Sequence, residues 1–223
     1  MGITKKVQEF EREMLRKRNL SYKGLVLLEF GNQWIKKINK PAKKWYFERG
    51  VDHTSVDING KDGSLKINLD KPFPSYLIDR FDVVTNYGTL EHVSNQYEGF
   101  KNMHNSCKIN GLMIHNLVLV GHWEGHCRYF YYPSFSSSFA KLCKYEIIDS
   151  HIEKTPNKKE DLIFVCYKRT SNNFPREEEF FKLPILDTGN LEKTGNYYSL
   201  LARVKRKLKS FKIGMVLNKL LKS

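Results

Sequence analysis

Short apolar runs alternate with amphipathic stretches along the first 170 residues of this 223-residue chain. The run over residues 24–31 is apolar throughout and closes with an acid and a glycine, which is typical of a parallel strand buried on both faces. Further runs favour strands because they end at turn-forming residues. They cover residues 53–58, 64–69, 81–86, 112–120, 145–153 and 162–168.

The stretches between these runs have helical periodicity. Residues 4–18 place Val7, Phe10, Met14 and Leu15 among charged residues, which predicts an amphipathic helix lying on the domain as a cap. Other helices are predicted over residues 33–47, 92–107 and 134–143. Because strands and helices alternate and end in a hairpin over 145–168, the pattern predicts an α/β fold. Its core is a doubly wound, mostly parallel seven-stranded sheet with an antiparallel C-terminal hairpin, and helices precede and follow it.

The pattern also divides the chain into regions. Residues 1–170 form one domain with its N-terminal cap helix, and residues 171–196, which are polar and contain Pro and Gly, form an irregular excursion or linker. Residues 197–223 predict a basic amphipathic helix. This helix suits docking on an anionic membrane surface, or packing on the domain or on a second copy, and both interpretations stay open.

The net charge of the chain indicates which classes of binding partner it favours. Lys and Arg outnumber Asp and Glu by 38 to 24, which gives a net charge of +14. Residues 193–223 contain nine basic residues and no acidic one, so most of the excess lies there. This balance favours anionic partners such as nucleic acid, membrane surfaces or phosphorylated substrates. Nucleic acid is the least favoured of these because the basic residues of the tail alternate mainly with aliphatic ones, Phe211 being the one aromatic residue between Arg203 and Lys222, and because no recognition motif is present.

Cysteine usage and hydropathy indicate the compartment. The four cysteines, Cys107, Cys127, Cys143 and Cys166, form no CxxC pair, so we expect them to be reduced and mostly buried. No apolar stretch approaches the roughly 20 residues of a membrane span. The first 18 residues are charged and lack the apolar centre of a secretory signal. We therefore expect a cytoplasmic protein, with peripheral membrane attachment through residues 197–223 as an option.

One segment carries most of the functional information. The sequence FDVVTNYGTLEHV, residues 81–93, is a buried apolar run that ends in small and polar residues. Ligands of parallel sheets bind at this carboxyl end of the strands. The segment resembles the fourth motif of the class I, Rossmann-like methyltransferases that depend on S-adenosylmethionine, and the resemblance extends over residues 24–168. It implies S-adenosylmethionine as cofactor.

The resemblance also implies cofactor-binding residues. The first motif falls on residues 27–33, where Glu29 and Gly31 would face the amino acid end of the cofactor. The family has two or three glycines here, whereas this chain has Asn32 and Gln33 after Gly31. Asp57 follows Gly31 by 26 positions and would accept the ribose hydroxyls, the alternative being a turn-forming Asp before Asn-Gly.

Two further pairs of residues follow from the same resemblance. Asn68 and Leu69 come after the third predicted strand, where the family places a polar and an apolar residue near adenine. Asn86 and Tyr87 would lie beside the reacting methyl group, which needs an acceptor atom held in line at close distance.

Candidate residues for the acceptor side follow the fourth and fifth strands. His92, His122 and His126 are candidate bases or acceptor anchors, because a neutral imidazole can take a hydroxyl proton. For Glu91 and His92 the alternative is a solvent-facing pair at a helix start. His122 and His126 are four apart, but Gly121 and Gly125 disfavour the helix that would align them and no third ligand is evident, so no metal is expected.

These observations lead to a functional hypothesis with two rivals. The sequence favours methyl transfer from S-adenosylmethionine to an oxygen of a small hydroxylated acceptor, such as a sugar or glycolipid precursor in surface polysaccharide assembly. One rival is a non-catalytic binding or scaffold protein on the same fold, which the reduced glycine motif would permit. The other is an RNA methyltransferase, which the charge favours. The chain lacks the Asn/Asp-Pro-Pro-aromatic motif of base-modifying enzymes, but RNA ribose enzymes do not need it.

Overall fold

The structure is a computed structural model, and it describes residues 2–156 and 159–190. Strands are numbered along the chain. They are β1 (Val26–Phe30), β2 (Trp34–Ile35), β3 (Lys40–Pro41), β4 (Asp52–Asp57), β5 (Leu65–Lys66), β6 (Phe81–Tyr87), β7 (Cys107–Val118), β8 (Tyr129–Tyr131), β9 (Glu146–Glu153), β10 (Leu162–Lys168) and β11 (Ile185–Asp187). The helices are α1 (Lys5–Lys17), α2 (Ala42–Phe47), α3 (Gln96–Ser106), α4 (Phe135–Cys143) and α5 (Glu177–Phe180).

A seven-stranded sheet in the order β5-β4-β1-β6-β7-β10-β9 organises the molecule. The pairs from β5 to β7 are parallel, and β10 is antiparallel to both β7 and β9. The predicted fold class is therefore confirmed, including the antiparallel hairpin at the edge. Because β4, β1 and β6 are neighbouring parallel strands, their carboxyl ends at Asp57, Phe30 and Tyr87 meet at one edge of the sheet.

Alternate residues of the central strands fill two cores. Leu27 and Val83 lie in the core shared with α1 and α2, while Leu28 and Val84 lie in the core shared with α3 and α4. All four side chains are fully buried. This burial explains why β1 is apolar except at Glu29, since both of its faces are covered by helices.

Helix α1 confirms the cap predicted from its amphipathic pattern. It begins after Thr4, whose hydroxyl accepts a hydrogen bond from the Val7 amide at 3.3 Å. Its buried side includes the predicted apolar residues, and its polar side pairs with the edge strand β9, where Lys17 lies 2.7 Å from Asp149. The cap helix is thus fixed to one face and one edge of the sheet.

The helix predicted over residues 33–47 is wrong for its first nine residues. Trp34 and Ile35 pair antiparallel with Lys40 and Pro41, and the turn between them places Asn39 at a φ of +46°. Helix α2 begins only at Ala42, directly after Pro41. A proline lacks an amide hydrogen and is tolerated at a helix start but not in its interior, which accounts for the difference.

The segment after β6 also differs from its predicted form. The helix predicted from residue 92 begins at Gln96, where the Asn95 side chain accepts a hydrogen bond from the Glu98 amide at 3.0 Å. The three residues Leu90–His92 form a separate 3-10 turn. The chain therefore has a short loop between β6 and α3 that is free to carry functional side chains.

The region predicted as an excursion contains two short elements, α5 and β11, and β11 pairs with β8. Residues 191–223, which include the predicted basic helix over 197–223 and its proposed membrane contact, lie outside the described residues. Within the described ranges, no helix is long and apolar enough to cross a membrane. All four cysteines are buried and free, as predicted.

Candidate functional site

The turn that follows β1 allows only glycine at position 31. Gly31 has a φ of +89°, and its amide donates to the Val56 carbonyl at 2.8 Å. A Cβ atom on Gly31 would lie 2.4 Å from the Thr89 hydroxyl oxygen and 2.8 Å from the Gln33 amide nitrogen. The turn therefore needs both the conformational freedom and the small size of glycine.

Asp57, at the end of β4, joins two turns through its carboxylate. Oδ2 accepts a hydrogen bond from the Asn32 amide at 2.8 Å, and Oδ1 accepts one from the Asn59 amide at 2.8 Å. The side chain is half-buried, and each carboxylate oxygen has a further lone pair. Asp57 can therefore accept additional hydrogen bonds from a ligand. Its role toward ribose hydroxyls stays a prediction.

Glu29 is buried and directs its carboxylate to residues of the protein. Oε1 accepts the Gln33 amide at 2.9 Å, and Oε2 lies 3.4 Å from His53 Nε2. The side chain of Gln33 then crosses to Thr89, with 3.1 Å between Nε2 and Oγ1. Glu29 thus fixes the turn, while Gln33 fills the space above Gly31 that the family resemblance assigns to the cofactor.

Asn86 and Tyr87 turn to opposite faces of the sheet, and both side chains are engaged inside the protein. Asn86 Oδ1 accepts the amides of Thr89 at 3.2 Å and Leu90 at 3.0 Å. The Tyr87 hydroxyl donates to Glu11 Oε2 at 2.6 Å beneath α1. Of this segment, Thr89 is the residue that reaches the Gly31 turn.

Asn68 and Leu69 lie after β5 at the rim of a surface groove. Leu69 is buried in the core, and Asn68 Oδ1 accepts the Asp70 amide at 3.0 Å. The groove has a volume of about 560 Å³, and its lining includes Asn68, Arg128 and Tyr129. The groove is therefore a mixed polar and aromatic surface.

His92 and His126 come together although they lie on different loops. Their ring centroids are 4.9 Å apart in an edge-to-face arrangement, and Trp123 packs against His126 at 5.2 Å. Glu91 joins them: one carboxylate oxygen of Glu91 and one ring nitrogen from each histidine all lie within 4.8 Å of one another.

Glu91 is fully buried, so the alternative of a solvent-facing Glu-His pair is wrong for this residue. Neither carboxylate oxygen of Glu91 has a hydrogen-bond partner among the described residues. Burial raises the pKa of this carboxyl above its usual range, and the nearby His92 opposes that rise. Because Glu91 lies in the loop after β6, its buried carboxylate comes to lie beside His92 and His126.

His122 occupies a different environment from His126. Its Nδ1 accepts the Asp161 amide at 3.2 Å, which requires the hydrogen of the neutral ring to sit on Nε2. His122 is therefore a hydrogen-bond donor at Nε2. His115 is buried against Asn86, and burial lowers the pKa of its imidazole to about 3, so this ring is neutral.

Sequence reasoning missed two buried polar groups on the α1 side. Glu11 accepts hydrogen bonds from the hydroxyls of Tyr22, Tyr46 and Tyr87 at 2.8, 2.6 and 2.6 Å. His53 stacks on the Tyr46 ring at 4.8 Å. The signal for Glu11 was its spacing, four residues after Val7 and four before Leu15, which places it on the buried stripe of α1.

Comparison with known proteins identifies the fold. No protein-family model and no curated protein matches this chain. Solved structures do match, at low sequence identity. A 1,6-didemethyltoxoflavin-N1-methyltransferase from Burkholderia thailandensis, solved with S-adenosylhomocysteine, has a TM-score of 0.54 and 13% identity. The match covers 74% of this chain and 78% of that one.

Two other structures extend the comparison. A protein from Listeria monocytogenes described as an S-adenosylmethionine-dependent methyltransferase has a TM-score of 0.51 and 11% identity, over 73% of this chain and 98% of that one. The [4+2]-cyclase SpnF has a TM-score of 0.50 and 10% identity, over 74% and 82%. Together with the strand order, these matches show that the chain has the class I, Rossmann-like methyltransferase fold.

Proposed function

We propose that this protein transfers a methyl group from S-adenosylmethionine to a hydroxyl oxygen of a small acceptor. The observation that carries the proposal is the pairing of the Gly31 turn with the half-buried carboxylate of Asp57 at the end of the neighbouring parallel strand. A glycine turn and an acid in this relation are what a nucleotide-like ligand requires of a Rossmann-like sheet.

The residues of the turns fit the cofactor once one side chain moves. Asp57 keeps a lone pair on each oxygen for the ribose hydroxyls, and Asn68 and Leu69 would border the adenine. The amino acid end would lie at Gly31, where the Gln33 side chain now stands. Gln33 Oε1 is buried with no hydrogen-bond partner among the described residues. Rotation of this flexible side chain therefore breaks only its hydrogen bond to Thr89.

The chain's own task in the reaction is positioning and proton removal. When bound, S-adenosylmethionine supplies an electrophilic methyl group. The acceptor oxygen must be held in line with it, and the hydroxyl proton must leave. His122 is suited to anchoring an acceptor oxygen through its Nε2 hydrogen. His92 and His126 are the candidates to receive the proton, because they lie on the loops that follow β6 and β7.

The acceptor we propose is a sugar or glycolipid precursor, which would place the enzyme in surface polysaccharide assembly. Support comes from the groove beside Asn68, where the exposed ring of Phe181 offers an aromatic face and Arg128 adds a polar group. Aromatic faces with polar groups at the rim suit the mixed surface of a sugar ring. Attachment of residues 197–223 to an anionic membrane would bring the enzyme to a lipid-linked acceptor.

A second candidate function is a binding protein that kept the fold without methyl transfer. The specific observation in its favour is the Gln33–Thr89 bridge, which occupies the space above Gly31. The [4+2]-cyclase SpnF has a similar fold, and one fold can host unrelated reactions.

Calorimetry with S-adenosylhomocysteine on the full chain tests the proposal. We expect Asp57→Asn to weaken binding about tenfold or more, because hydrogen bonds to a charged group contribute about 1.5–3 kcal/mol. Asp52→Asn is the matched control, since Asp52 is exposed at the opposite end of the same strand. Absence of binding at millimolar ligand would favour the binding protein. Equal affinity in the Asp57 and Asp52 variants would refute the ribose role.

A further inference from the structure

The starting observation is a carboxylate that the protein buries without a partner. Glu91 has no solvent exposure, and both of its carboxylate oxygens lack a hydrogen-bond partner among the described residues. Burying a carboxyl group in this way is costly unless something compensates it. His92 lies close to this carboxylate and compensates part of its charge, and a bound cation would add to that compensation.

The second observation is the convergence of two imidazoles on this carboxylate. His92 follows Glu91 directly, whereas His126 arrives from the loop after β7, 35 residues later in the sequence than Glu91. The backbone holds this loop in place, because the Arg128 amide donates to the Glu91 carbonyl at 3.3 Å. Two separate segments of the chain thus deliver three ligand-type atoms to one point.

We propose that Glu91, His92 and His126 form a binding site for a divalent transition-metal ion. Their ligand atoms lie within 4.8 Å of one another. Ligands around a tetrahedral Zn²⁺ ion are about 3.3 Å apart at metal–ligand distances of about 2.0–2.2 Å. Side-chain rotation can make up this difference, because Glu91 and the two histidines are anchored on backbone that is already adjacent.

The donor set determines which ions suit the site. Two imidazole nitrogens and one carboxylate oxygen favour Zn²⁺ and related first-row ions, whereas Mg²⁺ prefers oxygen ligands alone. Three protein ligands leave at least one coordination position open. A site with an open position can take an oxygen from a substrate, which a closed structural site cannot.

The open position suggests how this site would serve the reaction, and this step rests on the proposed function. The loops that carry His92 and His126 follow β6 and β7, on the side of the sheet where an acceptor would bind. An acceptor hydroxyl that binds the ion would be oriented by it, and coordination lowers the pKa of a bound hydroxyl. In this arrangement His92 and His126 are metal ligands in place of proton acceptors, and the proton of the coordinated hydroxyl is released to water. The expected acceptors are compounds whose hydroxyl oxygens can coordinate a cation.

Metal binding can be measured directly on the full chain after removal of any affinity tag. Titration with Zn²⁺, followed by calorimetry and by metal analysis after dialysis, is expected to give one ion per chain, and Mg²⁺ is expected to give none. Glu91→Gln and His126→Ala should each weaken Zn²⁺ binding by at least about tenfold, since loss of even an indirect metal contact costs about 10–100-fold. His122→Ala is the matched control from the same loop and should bind Zn²⁺ like the wild type.

The outcomes separate this proposal from the proposed function. Wild-type Zn²⁺ affinity in either Glu91→Gln or His126→Ala, equal loss in the His122→Ala control, or no binding by the wild type would each overturn the metal site. Circular dichroism on all variants verifies that they are folded, and Glu91→Gln removes a buried charge without changing shape. Binding of S-adenosylhomocysteine is measured in parallel without metal, so the failure of either proposal is recognisable independently of the other.

Discussion

The side chain of Gln33 bridges to Thr89 over the Gly31 turn, with 3.1 Å between the Gln33 amide nitrogen and the Thr89 hydroxyl oxygen. The same hydroxyl donates to the Phe30 carbonyl at 2.8 Å, so it is held in place from below. The turn after β1 and the turn after β6 are therefore joined by side chains. A ligand that reaches Gly31 therefore has to break the hydrogen bond between the side chains of Gln33 and Thr89.

Replacement of Gln33 by alanine is expected to strengthen cofactor binding. The variant removes the bridging amide, and the ligand no longer has to break a hydrogen bond worth about 0.5–1.5 kcal/mol, which corresponds to about 2–12-fold in affinity. Calorimetry with S-adenosylhomocysteine measures the change, and Gln8→Ala on α1 is the control. Weaker binding in the Gln33 variant would mean that this side chain contacts the ligand instead of standing in its place.

Gly31→Ala is expected to destabilise the fold more than Gly24→Ala. Both glycines have positive φ values, +89° and +79°, so both substitutions carry the left-handed penalty of about 1–2 kcal/mol. Only at position 31 would the new methyl group meet other atoms, because nothing lies within 4 Å at position 24. The crowding is expected to add about 1–3 kcal/mol. Urea denaturation of both variants measures the difference, and equal losses would contradict it.

The buried Glu11 is expected to make stability fall as pH rises. Burial raises the pKa of its carboxyl above 4.5, and the hydrogen bonds from the tyrosines only partly oppose the rise. Above pH 4.5 the unfolded chain has released this proton while the folded protein retains it, so the free energy of unfolding decreases up to the raised pKa. The slope from this group is at most about 1.4 kcal/mol per pH unit.

Comparison with Glu11→Gln isolates that effect. The glutamine cannot titrate, so the variant should become more stable relative to the wild type as pH increases from 4.5. Urea denaturation across pH 4.5–7 provides the measurement, with Glu9→Gln on the exposed side of α1 as control. A constant difference between wild type and the Glu11 variant would show that Glu11 titrates alike in the folded and unfolded states.

His104 is expected to have the opposite effect, in acid. Burial, with the charge of Arg169, lowers the pKa of its imidazole from 6.5 to about 4. The Tyr145 hydroxyl lies 2.6 Å from Nδ1, and Nε2 lies 3.2 Å from the Asn172 carbonyl, an arrangement that suits a neutral ring with its hydrogen on Nε2. As pH falls from 6.5 toward 4, this histidine binds a proton in the unfolded chain but not in the folded protein. The free energy of unfolding therefore decreases.

Ring-proton NMR tests this prediction directly. The His104 resonances should titrate with a midpoint near pH 4, and thermal unfolding of His104→Gln should depend less on pH between 4 and 6.5 than that of the wild type. A His104 midpoint between pH 6 and 7 would contradict the prediction.

The sheet could be predicted from the sequence because its strands are recognisable locally. Leu27 and Leu28 face different cores, and a strand buried on both faces leaves a continuous apolar run that needs no knowledge of its neighbours. The helix predicted over 33–47 failed because the pairing of Trp34 with Pro41 depends on a tight turn at Asn39, which helical periodicity does not reveal.

The side chains of the site were predictable in position but not in orientation. Asp57 and Gly31 lie beside each other because the carboxyl ends of neighbouring parallel strands coincide. His126 beside Glu91 and Thr89 beside Gln33 come from loops far away in the sequence, so neither the burial of Glu91 nor the bridge to Thr89 could be derived from spacing. Tyr87 illustrates the same point, since its hydroxyl partner Glu11 lies 76 residues away.

The three tyrosine hydroxyls gathered on Glu11 also bear on how this protein can be engineered. Tyr22, Tyr46 and Tyr87 come from three different parts of the domain, and all three depend on one carboxylate contributed by the cap helix. A helix transplanted from a homologous protein would leave these hydroxyls buried without a hydrogen-bond acceptor unless it carried an acidic residue at the same position. The cap is therefore an integral component of the domain, not an exchangeable module.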